Sequence, residues 1–400
     1  MPWTETCAMN ERMCFVAAYL DGAESISALC REFGISRKTV HKWLARYGES
    51  GFVGLEARSR APLSNPAAMD EAVIEAVVAV RLRNPTWGPD KVKAYLDRTA
   101  PERTWPSASS MGRQFVRAGL VRPRKRRVRT PGMGHPLSPC QAANDIWCVD
   151  FKGWFLTGDG IQVDPFTMTD RYSRYLLCLE AVGRCDEAHV WPLFEAAFRE
   201  FGLPLVVLSD NGPPFASRGA AGLSRLAVKL IKVGVLPERI EPGKPQQNGS
   251  HERMHLTLKQ DTASPPADSL AEQILRFRDF KQIYNHERPH QALGQIPPAE
   301  VYSPSPRTWD GQLRSPDYDE SCQVRKVRSN GEIKWKGRTA FISSALKGEP
   351  VGLWQIGERT WLVKYGPIIL GTIKGENKML RIMPIKQKRR KKMTPKPDKL

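Results

Sequence analysis

Apolar positions recur at helical spacing through the N-terminal part of the chain and give way to strand-like alternation near Asp145. Residues 10–20 (NERMCFVAAYL) carry apolar side chains at that spacing, and SISALCREFGISRKTVHKWLARYG then predicts a helix, a tight turn and a second helix. Leu29, Cys30 and Phe33 face inward in this reading, Gly34 takes the turn's left-handed conformation, and Ser36 caps the next helix, whose Val40, Trp43 and Leu44 pack back. That is helix-turn-helix spacing, assigned to residues 1–61. The outer face of the second helix presents Arg37, Lys38, His41 and Lys42, side chains suited to a major groove and its flanking phosphates. A helical packing module with no DNA role fits the same apolar pattern but leaves that charge unexplained.

A Gly/Arg/Ser/Pro-rich stretch precedes a second helical unit, assigned to residues 62–121, with helices expected near 67–83, 88–98 and 107–118 and Pro85, Pro101 and Pro106 in the breaks. It reads as a second DNA-binding domain on a weaker signal, because Trp87 and Trp105 serve equally well as core. A basic linker, 122–142, leads to three successive strand patterns, IWCVDFKGWFLTG, IQVDPFTMTD and SRYLLCLEAV. A helix near 186–201, a buried strand PLVVLSD, and helices near 218–232, 246–261 and 269–285 complete an α/β core with a mixed sheet, assigned to 143–312. Short β runs with glycine turns occupy 313–383, for which a small β-barrel is the economical expectation. Residues 384–400 form a basic tail.

Charge changes the picture more than composition does. The 400-residue chain carries a formal +19, and two runs hold most of the excess. Arg122–Arg129, which contains Arg124, Lys125, Arg126 and Arg127, and Lys386–Lys392 each hold six basic residues and no acid. Such runs neutralise phosphates and release counterions whether or not they are ordered, so the expected partner is double-stranded DNA. No stretch approaches the ~18 apolar residues of a membrane span, and Glu5, Glu11 and Arg12 stand where a signal peptide needs an apolar run. Cytoplasmic residence, with no membrane partner, is therefore expected. None of the eight cysteines stands in a C-x-x-C pair, which argues against a disulfide framework or a cysteine zinc site.

Three acids stand apart from the other charges. Asp150 lies within an apolar strand, where alternation puts Trp147, Val149 and Phe151 on one face and Cys148, Asp150 and Lys152 on the other; a carboxylate there is costly unless something compensates it. Asp210 ends PLVVLSD just before Asn-Gly, at the carboxyl edge of a sheet, where α/β proteins build sites. Glu252 lies on a helix beginning after GKPQQNGS. Any one of them alone reads as a cap or a surface charge, and it is the joint order that carries chemistry.

With these motifs in view, the sequence resembles the bacterial insertion-sequence transposases with a retroviral-integrase-type core. The matching segments are W-C-V-D-F-K-G at 147–153, L-S-D-N-G-P-P-F at 208–215, K-P-Q-Q-N-G-S-H-E-R-M-H at 244–255 and Y-N-H-E-R-P-H-Q-A-L-G at 284–294. Met254 departs from the pattern where a bulkier aromatic is expected. The resemblance implies an RNase H-like fold for the core and an acidic triad of Asp150, Asp210 and Glu252. It further implies two Mg²⁺ or Mn²⁺ ions, cleavage and strand transfer at the terminal repeats of a mobile element and at target DNA, and self-association into a dimer or higher oligomer. Carboxylates suit such ions, and two of them serve an in-line phosphodiester displacement. Lys259, two turns beyond Glu252, stands on the same helical side to meet the DNA backbone.

Two other readings compete. His251-Glu252-x-x-His255 matches the H-E-x-x-H pattern of zinc peptidases, but a turn precedes it and Glu272 is the only nearby third ligand. In the transposase reading these two histidines are bystanders. The second competitor, a DNA-binding regulator that has lost catalysis, conflicts with retention of all three acids.

Overall fold

A computed structural model of the chain describes residues 8–57, 69–121, 138–217, 219–241, 244–374 and 380–381. It divides into two compact units, Met1–Ala68 and Met69–Leu400. The first contains α1 (Ala8–Asp21), α2 (Ile26–Glu32) and α3 (Arg37–Ser50). Ser25 and Ser36 accept the backbone N–H groups of Ala28 and Thr39, so serine caps start both α2 and α3. Gly34, at φ +63°, supplies the left-handed turn between them. Phe15, Val16, Leu29, Val40, Trp43 and Leu55 form the core, with Cys30, Phe33 and Leu44 at its margin.

The second unit opens with α4 (Glu71–Arg83), α5 (Pro89–Thr99) and α6 (Ala108–Arg117), packed around Val77, Trp87, Val92, Leu96, Trp105, Met111 and Phe115. Both tryptophans are core residues. Both basic runs, and with them Arg124, Lys125, Arg126 and Arg127, lie outside the described residues.

A mixed sheet follows, built from β1 (Ile146–Phe151), β2 (Phe155–Leu156), β3 (Gln162–Asp170), β4 (Leu176–Val182), β5 (Val206–Ser209) and β6 (Leu236–Arg239). β1 runs antiparallel to β3 and parallel to β5, which runs parallel to β6. The first expected strand is interrupted: β1 stops at Phe151, Gly153 turns the chain at φ +84°, and β2 resumes the pairing with β3. β6 escaped the sequence reading because LPER has no alternation to detect.

Four helices cover the two faces. On one, α7 (Glu187–Phe201) and α8 (Arg225–Lys232) bring Val190, Phe194, Phe198, Leu226 and Leu230 onto Trp147, Val149, Phe166 and Met168. α8 starts later than expected because Ser224 caps it, accepting the Ala227 amide, after a Gly/Ala turn. On the other face lie α9 (Gly249–Thr262) and α10 (Leu270–Gln282), whose Met254, Leu258, Phe277 and Phe280 pack on Val163, Leu176 and Leu179.

The C-terminal region departs from the expected barrel. Its strands are β7 (Gln323–Lys326), β8 (Glu332–Trp335), β9 (Arg338–Phe341), β10 (Pro350–Gly357), β11 (Thr360–Tyr365), β12 (Ile368–Lys374) and β13 (Leu380–Arg381). Among the described residues they form two sheets, β12-β11-β10-β7 and β13-β9-β8, and neither closes on itself. The reason is α8, whose Ala227, Val228 and Ile231 complete the core around Trp335, Trp361, Val363 and Tyr365. A helix supplies the wall that closure would otherwise provide.

Candidate active site

Strand register brings the two aspartates together. Cys148 on β1 stands opposite Leu208 on β5, and two residues further along each parallel chain come Asp150 and Asp210. Asp150 Oδ1 accepts the Phe151 amide at 2.8 Å. Asp210 Oδ1 accepts the Gly212 amide at 3.0 Å, and a Cβ at Gly212 would stand 3.0 Å from Asp210 Oδ2, so a side chain there would crowd the carboxylate. Glu252, in the first turn of α9, is exposed.

Burial, then the negative charge of Asp210 and, more weakly, of Glu252 push the Asp150 carboxyl up to about 7, against the pull of the Phe151 amide and Lys152. The three acids therefore share one electrostatic field. Among the described residues no three His, Cys, Asp or Glu groups converge tightly enough to form a finished metal cage. Two or more carboxylates in a common field, one of them unwilling to ionise alone, make an oxygen donor set of the kind hard divalent cations neutralise.

Beneath Asp150 lies a buried polar cluster. Thr167 is its register partner on β3, and the Thr167 hydroxyl donates to the Asp150 carbonyl at 3.0 Å. The same Oγ1 lies 2.7 Å from His251 Nε2 and 2.7 Å from His255 Nε2, while His251 Nδ1 meets Thr169 Oγ1 at 2.8 Å. Burial depresses both histidines, His251 far below the usual range and His255 to about 3, so both rings are neutral. Every contact is satisfied when both Nε2–H groups donate to Thr167 and Thr169 donates to His251 Nδ1. The 3.8 Å gap from His255 Nδ1 to Asp150 Oδ2 is then a contact between a neutral ring and a carboxyl, not an ion pair.

The sequence reading takes these histidines as bystanders, but in the structure they bolt α9 to β3 through the residue paired with Asp150. Nor do they open toward a zinc site, since three of their four ring nitrogens are taken by threonine hydroxyls and Glu272 is tied on the surface to Arg276 at 2.7 Å. The sequence signal was present in the i, i+4 histidine spacing and the alternation Thr167/Thr169, but only strand register relates the two.

Lys259 is exposed on α9, and its charge, after burial, helps hold Lys152 below the ordinary lysine range. In the first unit Arg37, Lys38, His41 and Lys42 are all exposed on α3, though Arg37 Nη2 donates to Ser27 Oγ at 2.6 Å and the Lys42 ammonium sits 4.7 Å from the Trp43 ring centroid.

The motif at 284–294 acquires a structural role. Asn285 brackets Leu176 of β4, accepting its amide at 2.8 Å and donating to its carbonyl at 3.0 Å. Arg288 is buried and reaches Thr86 Oγ1 at 3.2 Å and Asp261 Oδ2 at 3.8 Å. Around it Arg83 pairs with Glu287 at 2.7 Å, Arg98 with Glu300 at 2.9 Å, and Lys91 donates to the Pro289 carbonyl. The segment seats the α4–α6 bundle on the core.

Comparison with known proteins finds similar domains and relatives along the chain. Two family descriptions, each reading "Integrase core domain", match residues 141–245 and 233–298; a "Helix-turn-helix domain" matches 11–62 and a "Homeodomain-like domain" 39–115. The chain is 26% identical over 270 residues to the insertion element IS476 uncharacterized 39.2 kDa protein of Xanthomonas euvesicatoria, covering 66% of this chain and 75% of that one. It is 25% identical over 273 residues to the insertion element IS407 uncharacterized 31.7 kDa protein of Burkholderia multivorans, covering 68% and 88%. Among solved structures, the simian T-cell lymphotropic virus intasome in complex with PP2A regulatory subunit B56 gamma aligns with 72% of this chain and 92% of its own, at 14% identity and TM-score 0.37.

Proposed function

The chain belongs to the insertion-sequence transposases with an integrase-type core, and from that premise we propose that Asp150, Asp210 and Glu252 are the acids with which it cuts and joins DNA. The observation that carries the assignment is the Asp150 carboxyl, held near neutrality by burial and by the other two acids. Mg²⁺ or Mn²⁺, two ions held by these three side chains, would activate an oxygen nucleophile and neutralise the leaving oxygen.

The protein's own groups prepare that site. The Phe151 and Gly212 amides fix one oxygen of each aspartate. Thr167, gripped by His251 and His255, sets the position of α9 and therefore of Glu252. Lys259 meets a backbone phosphate beside the reacting one, which leaves the chemistry to the acids. Arg37, Lys38, His41 and Lys42 read and clamp the element ends, and Arg124, Lys125, Arg126 and Arg127 add sequence-independent phosphate contacts. Residues 1–61 and 62–121 serve as DNA-binding domains, 122–142 as basic linker, 143–312 as catalytic core, 313–383 as the β region and 384–400 as basic tail. Two element ends and one target call for at least a dimer on DNA.

The test is a gel shift beside a cleavage assay in Mg²⁺, on duplexes bearing the terminal repeats that flank the gene. Asp150→Asn should lower cleavage and joining by at least about a thousandfold, about 4 kcal/mol of barrier, and leave end binding within about twofold. Substantial cleavage by Asp150→Asn would remove Asp150 from the site.

A further inference from the structure

We propose that Trp154, with Lys152 and Lys259, forms a seat for one unpaired nucleotide of the DNA end, the base stacking on the indole and its phosphate lying between the lysines. The inference rests on the transposase reading and adds to it a substrate state, a splayed rather than fully paired terminus.

Trp154 is 62% exposed, although tryptophan is highly buried on average. Its backbone is not loose. Lys152 N–H donates to the Pro165 carbonyl at 2.9 Å, Phe155 packs edge-on against Phe277 at 6.5 Å, and Gly158 and Asp159 donate to the carbonyls of Ala267 and Asp268 at 2.9 and 2.8 Å. The positive φ of Gly153 lifts the indole out of the strand between these anchors. A rigid loop thus presents a large flat ring to solvent four residues after Asp150.

One cavity of about 80 Å³ is lined by Lys152, Trp154, Phe155, Leu258 and Lys259. Its two lysines set two like charges against one small cavity. A phosphate relieves that repulsion, and a base covers the indole. An aromatic platform between cations is how proteins hold single-stranded nucleic acid without reading its sequence. A paired terminus offers only the outer face of its last pair, with both phosphates held at the duplex width. A nucleotide freed from its partner can lay its base on the ring and its phosphate in the cavity together, so that is the ligand we assign to it.

The experiment uses the full-length protein carrying Asp150→Asn, so that nothing is cut, and two duplexes built on the flanking terminal repeat: one blunt, one with a two-nucleotide unpaired tail containing 2-aminopurine. The tailed duplex should bind more tightly than the blunt one, and 2-aminopurine emission should fall as the tail stacks. Adding Trp154→Ala should cost the tailed duplex about fivefold to about a hundredfold in affinity, restore the emission and leave the blunt duplex unchanged. Trp154→Phe should keep part of the preference and of the quenching. Lys152→Gln should weaken the tailed duplex more than the blunt one, with part of the quenching kept. Equal affinity for both duplexes, or quenching that survives Trp154→Ala, overturns the seat. So does a shift in sedimentation of Trp154→Ala with its tail preference intact, which would make the indole a contact between copies. Failure of the otherwise unmodified protein to cut the repeat in Mg²⁺ would instead count against the transposase reading itself.

Discussion

The two faces of the six-stranded sheet are packed by different chemistry. Under α7 and α8 the interior is aromatic and aliphatic throughout, with Trp147 stacked on Phe198 at a 5.8 Å centroid separation. Under α9 and α10 apolar side chains share the space with Thr167, Thr169, His251, His255, Gln273 and Asn285, all buried. A wholly apolar face tolerates sliding of a helix by small repacking, whereas a hydrogen-bonded one fixes a single register. The acid-bearing helix lies on the second kind of face, where its register decides where Glu252 points.

The contrast can be broken at three strengths. Phe198→Ala on the apolar face should destabilise the fold most, by about 3 to 5 kcal/mol, because the cavity it leaves is walled by large rings that cannot collapse into it. Urea unfolding measures this, and a loss under about 1 kcal/mol would mean that α7 is not part of the core that organises the sheet. A middle effect concerns pH. The folded, metal-free protein keeps a proton on Asp150 up to about pH 7, whereas the unfolded chain releases it near 3.8. The native state then binds more protons between those values, so stability should fall as pH rises through that window and level off above it, by at most about 4 kcal/mol. Asp150→Asn should flatten the slope in EDTA; the same slope in both proteins would place the titration elsewhere.

The smallest effect belongs to the polar face. His251→Ala removes a partner from both Thr167 and Thr169 and should cost about 1 to 3 kcal/mol. It should also slow strand transfer while leaving DNA affinity unchanged, through displacement of Glu252. A double substitution of His251 and Thr169 to Ala and Val should recover part of the lost stability, since it removes the orphaned hydroxyl as well. No recovery would mean that the histidine acts by volume alone.

Much of this was readable in the chain. Alternation in IWCVDF separates Asp150 from Trp147 and Val149, and the capping serines Ser36, Ser107 and Ser269 mark helix starts without help from tertiary structure. The three proposed acids could be singled out because each sits at a place with local grammar: a strand interior, an Asp-Asn-Gly turn, a helix after Asn-Gly. The Thr167–His251–His255 cluster was not, because strand register and helix azimuth are set by distant packing and leave no local mark. The barrel failed for a related reason: glycine-punctuated β runs specify strands but not what closes their open side, and here that is α8.

Arg288 bears on how far this protein can be taken apart. One guanidinium spans the bundle at Thr86 and the far end of α9 at Asp261, while Ile283 packs against the bundle's own interior. The bundle is thus no detachable module hung on a finished enzyme. Excising residues 69–121 would uncover Ile283, strand Glu287 and Glu300 without their arginines, and leave Arg288 with Asp261 but without Thr86. A chimera that swaps in a foreign bundle would have to bring along counterparts of Arg83, Thr86, Lys91 and Arg98, so bundle and core are inherited together, as one piece of protein.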